Sequence, residues 1–370
     1  MGSVHVIALT GGPCGGKSTS ISVLEQELTN KGYIVFVVEE MATNVINSGA
    51  NPEVVGLLEF QKMLIKLQLE RNNVYDGVAA KLAYEGHNII IIYDRGIPDC
   101  KGFISDNDYK QLLDDIGLTE TQIMDYYDGV FHLVTAADGA PEAYTCENNT
   151  ARTETPEQAI ERDKGCMRAW TGHSHLRVIT NDGCTFEEKI NKLLKEVYTL
   201  LGVPIPIETE RKFLIEKPDI DKLKTQYNGT TVEIIQTYLN VHENGVERRL
   251  RQRGIDGQYT FYYTEKKQIS EMSRIETERK ITKAEYLELL MDADTSLHQI
   301  RKNRTCFVYK GMYFELDEYT FWDDKAILEI ELTDEKQEFK VPTNITVIKE
   351  VTSDDRYKNR SLAESLGNIN

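Results

Sequence analysis

The sequence predicts an α/β domain, a parallel sheet with helices on both faces, followed by an α+β domain built on an eight-stranded antiparallel β-barrel. Three observations carry this. Short, near-continuously apolar strands alternate with helical periodicity up to about residue 200. Beyond residue 206 the periodicity changes to strict alternation, with charged residues where an apolar face is expected. The 370 residues also exceed what one hydrophobic core ordinarily organises. Pro204 and Pro206 block helix continuation and hold the backbone extended. They set a first domain at 1–202, a linker at 203–207 and a second domain at 208–365.

Composition bounds the function. Hydrophobic content of 40% and charged content of 28% are those of a folded globular chain. The formal charge of −17 opposes general attraction to nucleic acid or to an anionic membrane, so no nucleic-acid partner is expected, and phosphate must be held by local positive charge. No apolar run approaches the ~20 residues of a membrane span, and the N-terminus has neither a signal-peptide nor a myristoylation pattern. The six cysteines form no CxxC pair, which fits a reduced compartment and a cytoplasmic protein.

In the first domain, a strand at 4–9 runs into Gly11-Gly12-Pro13-Cys14-Gly15-Gly16-Lys17-Ser18-Thr19, and a helix follows at 18–28 with Ile21, Leu24 and Leu28 at helical spacing. This is the strand, loop and helix of a P-loop. Its glycines let backbone N–H groups converge on phosphate oxygens, Lys17 adds charge, and Ser18 can ligate Mg²⁺. Residues 11–19 are therefore candidates for binding ATP or GTP. Strands at 33–38 and 88–93 end in Glu39-Glu40 and Asp94-Arg95. In a parallel sheet these groups gather beside the loop. Asp94 is the candidate partner for Mg²⁺ or Mn²⁺, Arg95 for phosphate, and Glu40 (or Glu39 in its place) for general base. The mixed-charge stretch 151–170, carrying Arg152, Arg162 and Arg168, precedes a strand at 176–180 and reads as an arginine-bearing lid. Asn181-Asp182 stands where kinases of this type often contact the base.

No Asn-Lys-x-Asp follows for guanine and no Asp-x-x-Gly switch follows the third strand, which argues against a Ras-like GTPase. The stretch 4–200 instead resembles the kinase-like P-loop domain of the nicotinamide-riboside kinase portion of NadR and of the TRPL translocation defect proteins. The loop, Glu40-Met41-Ala42-Thr43 and Asp94-Arg95-Gly96 carry that likeness. The resemblance implies nucleotide binding, and it allows phosphate transfer to a small molecule.

In the second domain, polar residues share one side of each strand, because successive side chains point to opposite faces. In chain order they are Glu208/Glu210/Lys212, Gln236/Tyr238, Arg249/Arg251/Arg253, Thr264/Lys266, Glu276/Glu278/Lys280, Lys302/Arg304, Glu315/Asp317 and Glu329/Glu331. An open sheet with a solvated face would account for alternation alone. The segregation of sign by strand favours a closed barrel with basic and acidic walls around a polar lumen. Such charges cannot be buried dry, so the lumen must hold water, metal and an anionic ligand. Carboxylate pairs at i and i+2 suit Mg²⁺ or Mn²⁺.

With that pattern, residues 206–362 resemble the CYTH, or triphosphate tunnel metalloenzyme, superfamily, on Glu208-x-Glu210-x-Lys212 and on the order of the later charged pairs. The resemblance implies that Lys212, Arg249, Arg251, Lys266, Lys302 and Arg304, with Arg253 beside them, bind a triphosphate. It implies that Glu208, Glu210, Glu329 and Glu331 hold the metal, with Glu276, Glu278, Glu315 and Asp317 as further ligand candidates. Glu208, Glu210 and Lys212 would then be catalytic. The implied activity is hydrolysis of tripolyphosphate, a nucleoside triphosphate or thiamine triphosphate. The alternatives are a non-catalytic regulator of membrane trafficking that takes a phosphate or anionic phospholipid head group in the tunnel, and a kinase working through the first domain.

Overall fold

A computed structural model describes residues 2–143, 155–203, 209–241, 246–268, 274–332 and 337–366, with the side chains of 143, 209, 267–268 and 274–277 excepted. Glu208 and Arg152 lie outside the described residues, as does the side chain of Glu276. The chain divides into two compact units, Met1–Pro206 and Ile207–Asn370.

The first unit is a five-stranded parallel sheet. Its strands are β1 (Val4–Thr10), β2 (Ile34–Val38), β3 (Ile89–Asp94), β4 (Gly129–Leu133) and β5 (Leu176–Ile179), ordered β2-β3-β1-β4-β5. Four of these were legible as apolar runs; β4, which carries His132, was not. Alternate residues of β1 face opposite layers. Ile7 and Leu9 join Ile90, Ile92, Phe131 and Leu133 in a core closed by the helices Lys17–Asn30 and Phe186–Leu200. Ile21, Leu24 and Leu28 face this core from the first of those helices, the i, i+3, i+7 stripe that dictates which side is buried. A 28-residue helix, Leu57–Tyr84, contacts β1 and β3. Because the chain leaves β1 for β2, returns to β3 and then crosses to β4, the loops after β1, β3 and β4 meet at one carboxyl end.

The second unit is a nine-stranded antiparallel sheet. Its strands are β6 (Thr209–Glu216), β7 (Thr230–Tyr238), β8 (Val246–Ile255), β9 (Gln258–Gln268), β10 (Arg274–Ile281), β11 (Ile300–Tyr309), β12 (Met312–Tyr319), β13 (Lys325–Leu332) and β14 (Val347–Glu350). They are ordered β10-β9-β8-β7-β11-β12-β13-β6-β14. The eight expected strands are all present. The ninth, β14, pairs along β6, and among the described residues β10 and β14 are not hydrogen-bonded to each other. The ladder is thus open where a hydrogen-bonded closed barrel was expected, because the last strand occupies the free edge of β6. The turns fit their sequences: Asp256-Gly257 and Lys310-Gly311 take positive φ at both residues, as two-residue hairpins require.

The register settles the faces. One face carries Phe213, Phe307, Phe314, Leu316, Leu328 and Ile330, packed with Leu223 of the helix Ile220–Tyr227. The opposite face carries the charged residues singled out above whose side chains are described. At one end of it, Leu214, Tyr238, Ile300, Tyr319 and Ile327 form an apolar cluster with Leu362 of the C-terminal helix Asn359–Ser365. No helix among the described residues is long and apolar enough to cross a membrane.

Candidate functional sites

The loop after β1 needs its glycines. Gly11 sits at φ +134, and a β-carbon on it would lie 2.2 Å from the Leu133 carbonyl oxygen; Gly16, at φ +86, caps the following helix in the left-handed region. The Lys17 ammonium donates to the carbonyls of Gly11 (3.0 Å) and Gly12 (2.9 Å), and burial together with Arg95 lowers its pKa. Asp94 ends β3 with its Oδ1 buried and without a hydrogen-bond partner, and burial raises its carboxyl. A buried carboxylate oxygen left open and interacting electrostatically with Lys17 fits a hard divalent cation.

Arg95 adopts φ +70, a costly conformation for a side-chain-bearing residue. Its Nε donates to Glu40 Oε1 at 2.7 Å, NH1 lies 3.8 Å from Asp99, and the same nitrogen meets the Cys166 sulfur at 3.4 Å. Burial opposes the Glu40 charge, but Arg95 and Lys17 outweigh it and hold the carboxyl below its usual range. Glu39 is exposed, while Arg71 binds its backbone carbonyl. Of the two glutamates, only Glu40 belongs to this constellation.

Of the arginine-bearing stretch expected to form a lid, residues 155–170 are described. The helix Pro156–Trp170 starts on a Thr155/Gln158 capping box and buries Ala159, Asp163, Cys166, Ala169 and Trp170. Arg162 is exposed and stacks over the Phe103 ring (5.1 Å), and Arg168 keeps a buried, unpartnered Nε. Asn181 does not offer its amide to a base: Nδ2 donates to the carbonyls of Thr135 (2.7 Å) and Asp138 (2.6 Å), and Oδ1 accepts from Lys189.

In the second unit, Lys212, Lys302, Arg304, Glu210, Glu315, Asp317 and Glu329 form one network. The Lys212 ammonium lies between Glu329 (2.8 Å) and Glu210 (3.0 Å). Arg304 donates through Nε to Asp317 (2.7 Å) and through NH2 to Asp317 and Glu329 (2.6 Å each), and it also pairs with Glu315. Lys302 pairs with Asp317, both essentially inaccessible. Lys212, Arg304 and Lys302 overcome burial and hold Glu329 well below its usual range. For Glu210 the balance reverses: burial and the Glu329 charge push its carboxyl up to about 7. Two carboxylates converging on one cation, one of them resisting ionisation, fit a divalent metal at the position of the ammonium.

The basic wall continues on the same face. Arg251 pairs with Glu278 (3.2 Å), and Arg249 and Arg253 are 8% and 5% exposed. Register sets Lys266 opposite Glu276 and Glu247, and Glu331 opposite Glu210, though Glu331 itself is exposed. Among the described residues no group of three His, Cys, Asp or Glu is disposed to hold a metal, because the acidic residues pair with the basic ones. The chain just after β14 supports the site from the edge of β6: the Lys212 N–H donates to the Thr352 hydroxyl (3.0 Å), and the Val351 N–H to the Lys212 carbonyl (2.8 Å).

Sequence reasoning missed Asp99, Asp163, His132 and Lys189. Asp99 follows Asp94-Arg95-Gly96 closely and accepts the Thr10 hydroxyl and the Gly96 N–H (2.9 Å), so motif proximity was a usable signal. Asp163 and Lys189 are buried partners of the loop from distant segments, and His132 is a buried partner of Asp163, pairings that periodicity does not mark.

A family model described as an AAA domain matches residues 6–189, and one described as a CYTH domain matches residues 206–355. Among solved structures, one described as the inorganic triphosphatase NE1496 is 31% identical, covering 43% of this chain and 95% of that one with a TM-score of 0.31. A second structure of NE1496 is 30% identical, covering 43% and 98% with a TM-score of 0.32. The PH1819 protein from Pyrococcus horikoshii OT3 is 24% identical, covering 35% and 80% with a TM-score of 0.27. No curated protein matches the chain. The two family matches lie one after the other along the sequence, and the chain is therefore an AAA domain fused to a CYTH domain.

Proposed function

We propose that the CYTH domain binds and hydrolyses a triphosphate on its charged face, while the AAA domain binds ATP or GTP on its P-loop. The observation that carries this is the shared network of Lys212, Lys302 and Arg304 with Glu210, Asp317 and Glu329. Its cations and carboxylates neutralise one another at hydrogen-bond distance, so a ligand that supplies both anion and divalent cation can replace both partners at once. Lys212, Lys302 and Arg304, with Arg249, Arg251, Arg253 and Lys266, would then turn to phosphate oxygens. Glu210 and Glu329, with Glu208 and Glu331, would hold Mg²⁺ or Mn²⁺. When bound, such an ion neutralises charge developing on the terminal phosphate and acidifies attacking water. The chain's own part is to fix the phosphate chain in line, with Glu210 gaining its charge for the metal as pH rises through about 7.

Phosphate release from tripolyphosphate, nucleoside triphosphates and thiamine triphosphate tests this on wild type, Lys17→Ala and Glu208→Ala/Glu210→Ala. Tripolyphosphate hydrolysis should survive the first change and be lost in the second. Loss in Lys17→Ala alone would move the chemistry to the P-loop, and saturable binding without release would make the tunnel a sensor of phosphate or of phospholipid head groups. A second reading concerns the first domain, where Glu40, Asp94, Arg95 and Lys17 interact electrostatically at one carboxyl end. This favours phosphate transfer to a hydroxyl acceptor with Glu40 as base, to be tested with labelled γ-phosphate on a nucleoside panel that includes nicotinamide riboside.

A further inference from the structure

We propose that Asp163 and Lys189 are positioning residues, two buried opposite charges that hold the P-loop in its phosphate-binding shape; this rests on the reading of that loop as a nucleotide site. Asp163 is 4% and Lys189 3% exposed. Asp163 Oδ1 accepts the N–H of Gly12 (2.6 Å) and of Thr135 (3.1 Å), and its Oδ2 meets His132 Nε2 at 3.1 Å. Lys189 donates to the carbonyls of Gly15 (3.0 Å) and Val134 (2.7 Å) and to Asn181 Oδ1 (2.8 Å). Between them, the Thr135 hydroxyl donates to the Pro13 carbonyl at 2.5 Å.

Three groups of the loop, the Gly12 N–H and the carbonyls of Pro13 and Gly15, are thus tied to the exit of β4 and to two distant helices. A loop rich in glycine has little conformational preference of its own. Fixing its outward-facing polar groups leaves the remaining N–H groups free to point at phosphate without reorganisation. The charges also explain their own cost. A lone carboxylate beside a triphosphate would repel it, but Asp163 is fully engaged by donors and is compensated by Lys189, with which it interacts electrostatically. His132, Thr135 and the loop amides outweigh burial and hold the Asp163 carboxyl below its usual range.

The test uses the full chain with fluorescent (mant) ATP and GTP in Mg²⁺, beside melting of the ligand-free proteins. Asp163→Ala and Lys189→Met should weaken binding by about tenfold or more, the scale of losing a charge-assisted hydrogen bond. Asp163→Asn, whose Oδ1 still accepts both N–H groups, should recover most of that loss. Lowered melting with wild-type affinity in the folded variants would mean that the pair serves only the core, and overturns the proposal. If Asp163→Ala does not fold, selective ¹⁵N-glycine spectra of Asp163→Asn decide. The Gly12 amide proton should move upfield as a neutral acceptor replaces the carboxylate; an unmoved resonance overturns the proposal. Failure of wild type to bind either nucleotide would remove the reading of the loop itself, whereas equal affinities across variants would remove only this inference.

Discussion

Replacing Arg304 by Met would remove the cation shared by Glu315, Asp317 and Glu329 while leaving the aliphatic volume in place. Asp317 is inaccessible and Glu329 is 8% exposed, so water cannot substitute for the lost guanidinium. Removing one partner of a buried pair costs about 3–5 kcal/mol. At about 2–4 °C per kcal/mol for a unit of this size, the second-domain transition should fall by about 6–20 °C. The loss should depend on pH, with a definite sign. Glu329 is held well below its usual range, so its stabilising contribution is present above that range and is lost as pH falls through it. Arg304→Met should therefore differ most from wild type at about pH 8 and least near pH 4, where Glu329, no longer held by the guanidinium, takes up a proton. Mg²⁺ should raise the variant's transition more than the wild type's, because three carboxylates then lack a guanidinium. Calorimetry of the full chain measures all of this. A loss independent of pH, or none at pH 8, would refute the charge network as the organising feature of the face.

Glu210→Gln should stabilise the metal-free protein at about pH 8 and change little near pH 4 in chemical denaturation. The reason is that the Glu210 carboxyl is raised to about 7, so its favourable neutral form is lost as pH rises through that value. By the same sign, Mn²⁺ binding followed by electron paramagnetic resonance should strengthen as pH passes through about 7, and the dependence should vanish in that variant. Asp94→Asn should abolish the Mg²⁺ enhancement of nucleotide affinity in titration calorimetry, since its unpartnered Oδ1 is the oxygen proposed for the ion. Gly11→Ala should destabilise the first domain by more than about 1–3 kcal/mol in urea unfolding, because strain at φ +134 adds to a 2.2 Å clash with Leu133.

Local rules made much of both domains legible. The P-loop was visible because its glycines, lysine and serine are contiguous and their chemistry is local. The charged face of the second domain was visible because strand geometry imposes a period of two whatever the sheet then does. Glu40 could not be separated from Glu39 by sequence, since that choice depends on where Arg95 lies after a separate strand. The helix at 156–170 was legible, but what it packs against was not, because helical patterning reports only amphipathicity.

The sequence by itself determined the two domains, the phosphate loop and which residues share the charged face, because each follows from spacing along the chain. Only the tertiary structure decided that Asp163 and Lys189 grip that loop from 151 and 174 residues away. It likewise decided that Arg304 joins carboxylates from β12 and β13, and that a ninth strand lies on the edge of β6. These are long-range pairings of single polar residues, and they carry no periodic signal. Their partners are selected by the cost of leaving a buried charge or a strand edge unsatisfied, a cost that exists only once the chain has folded around them.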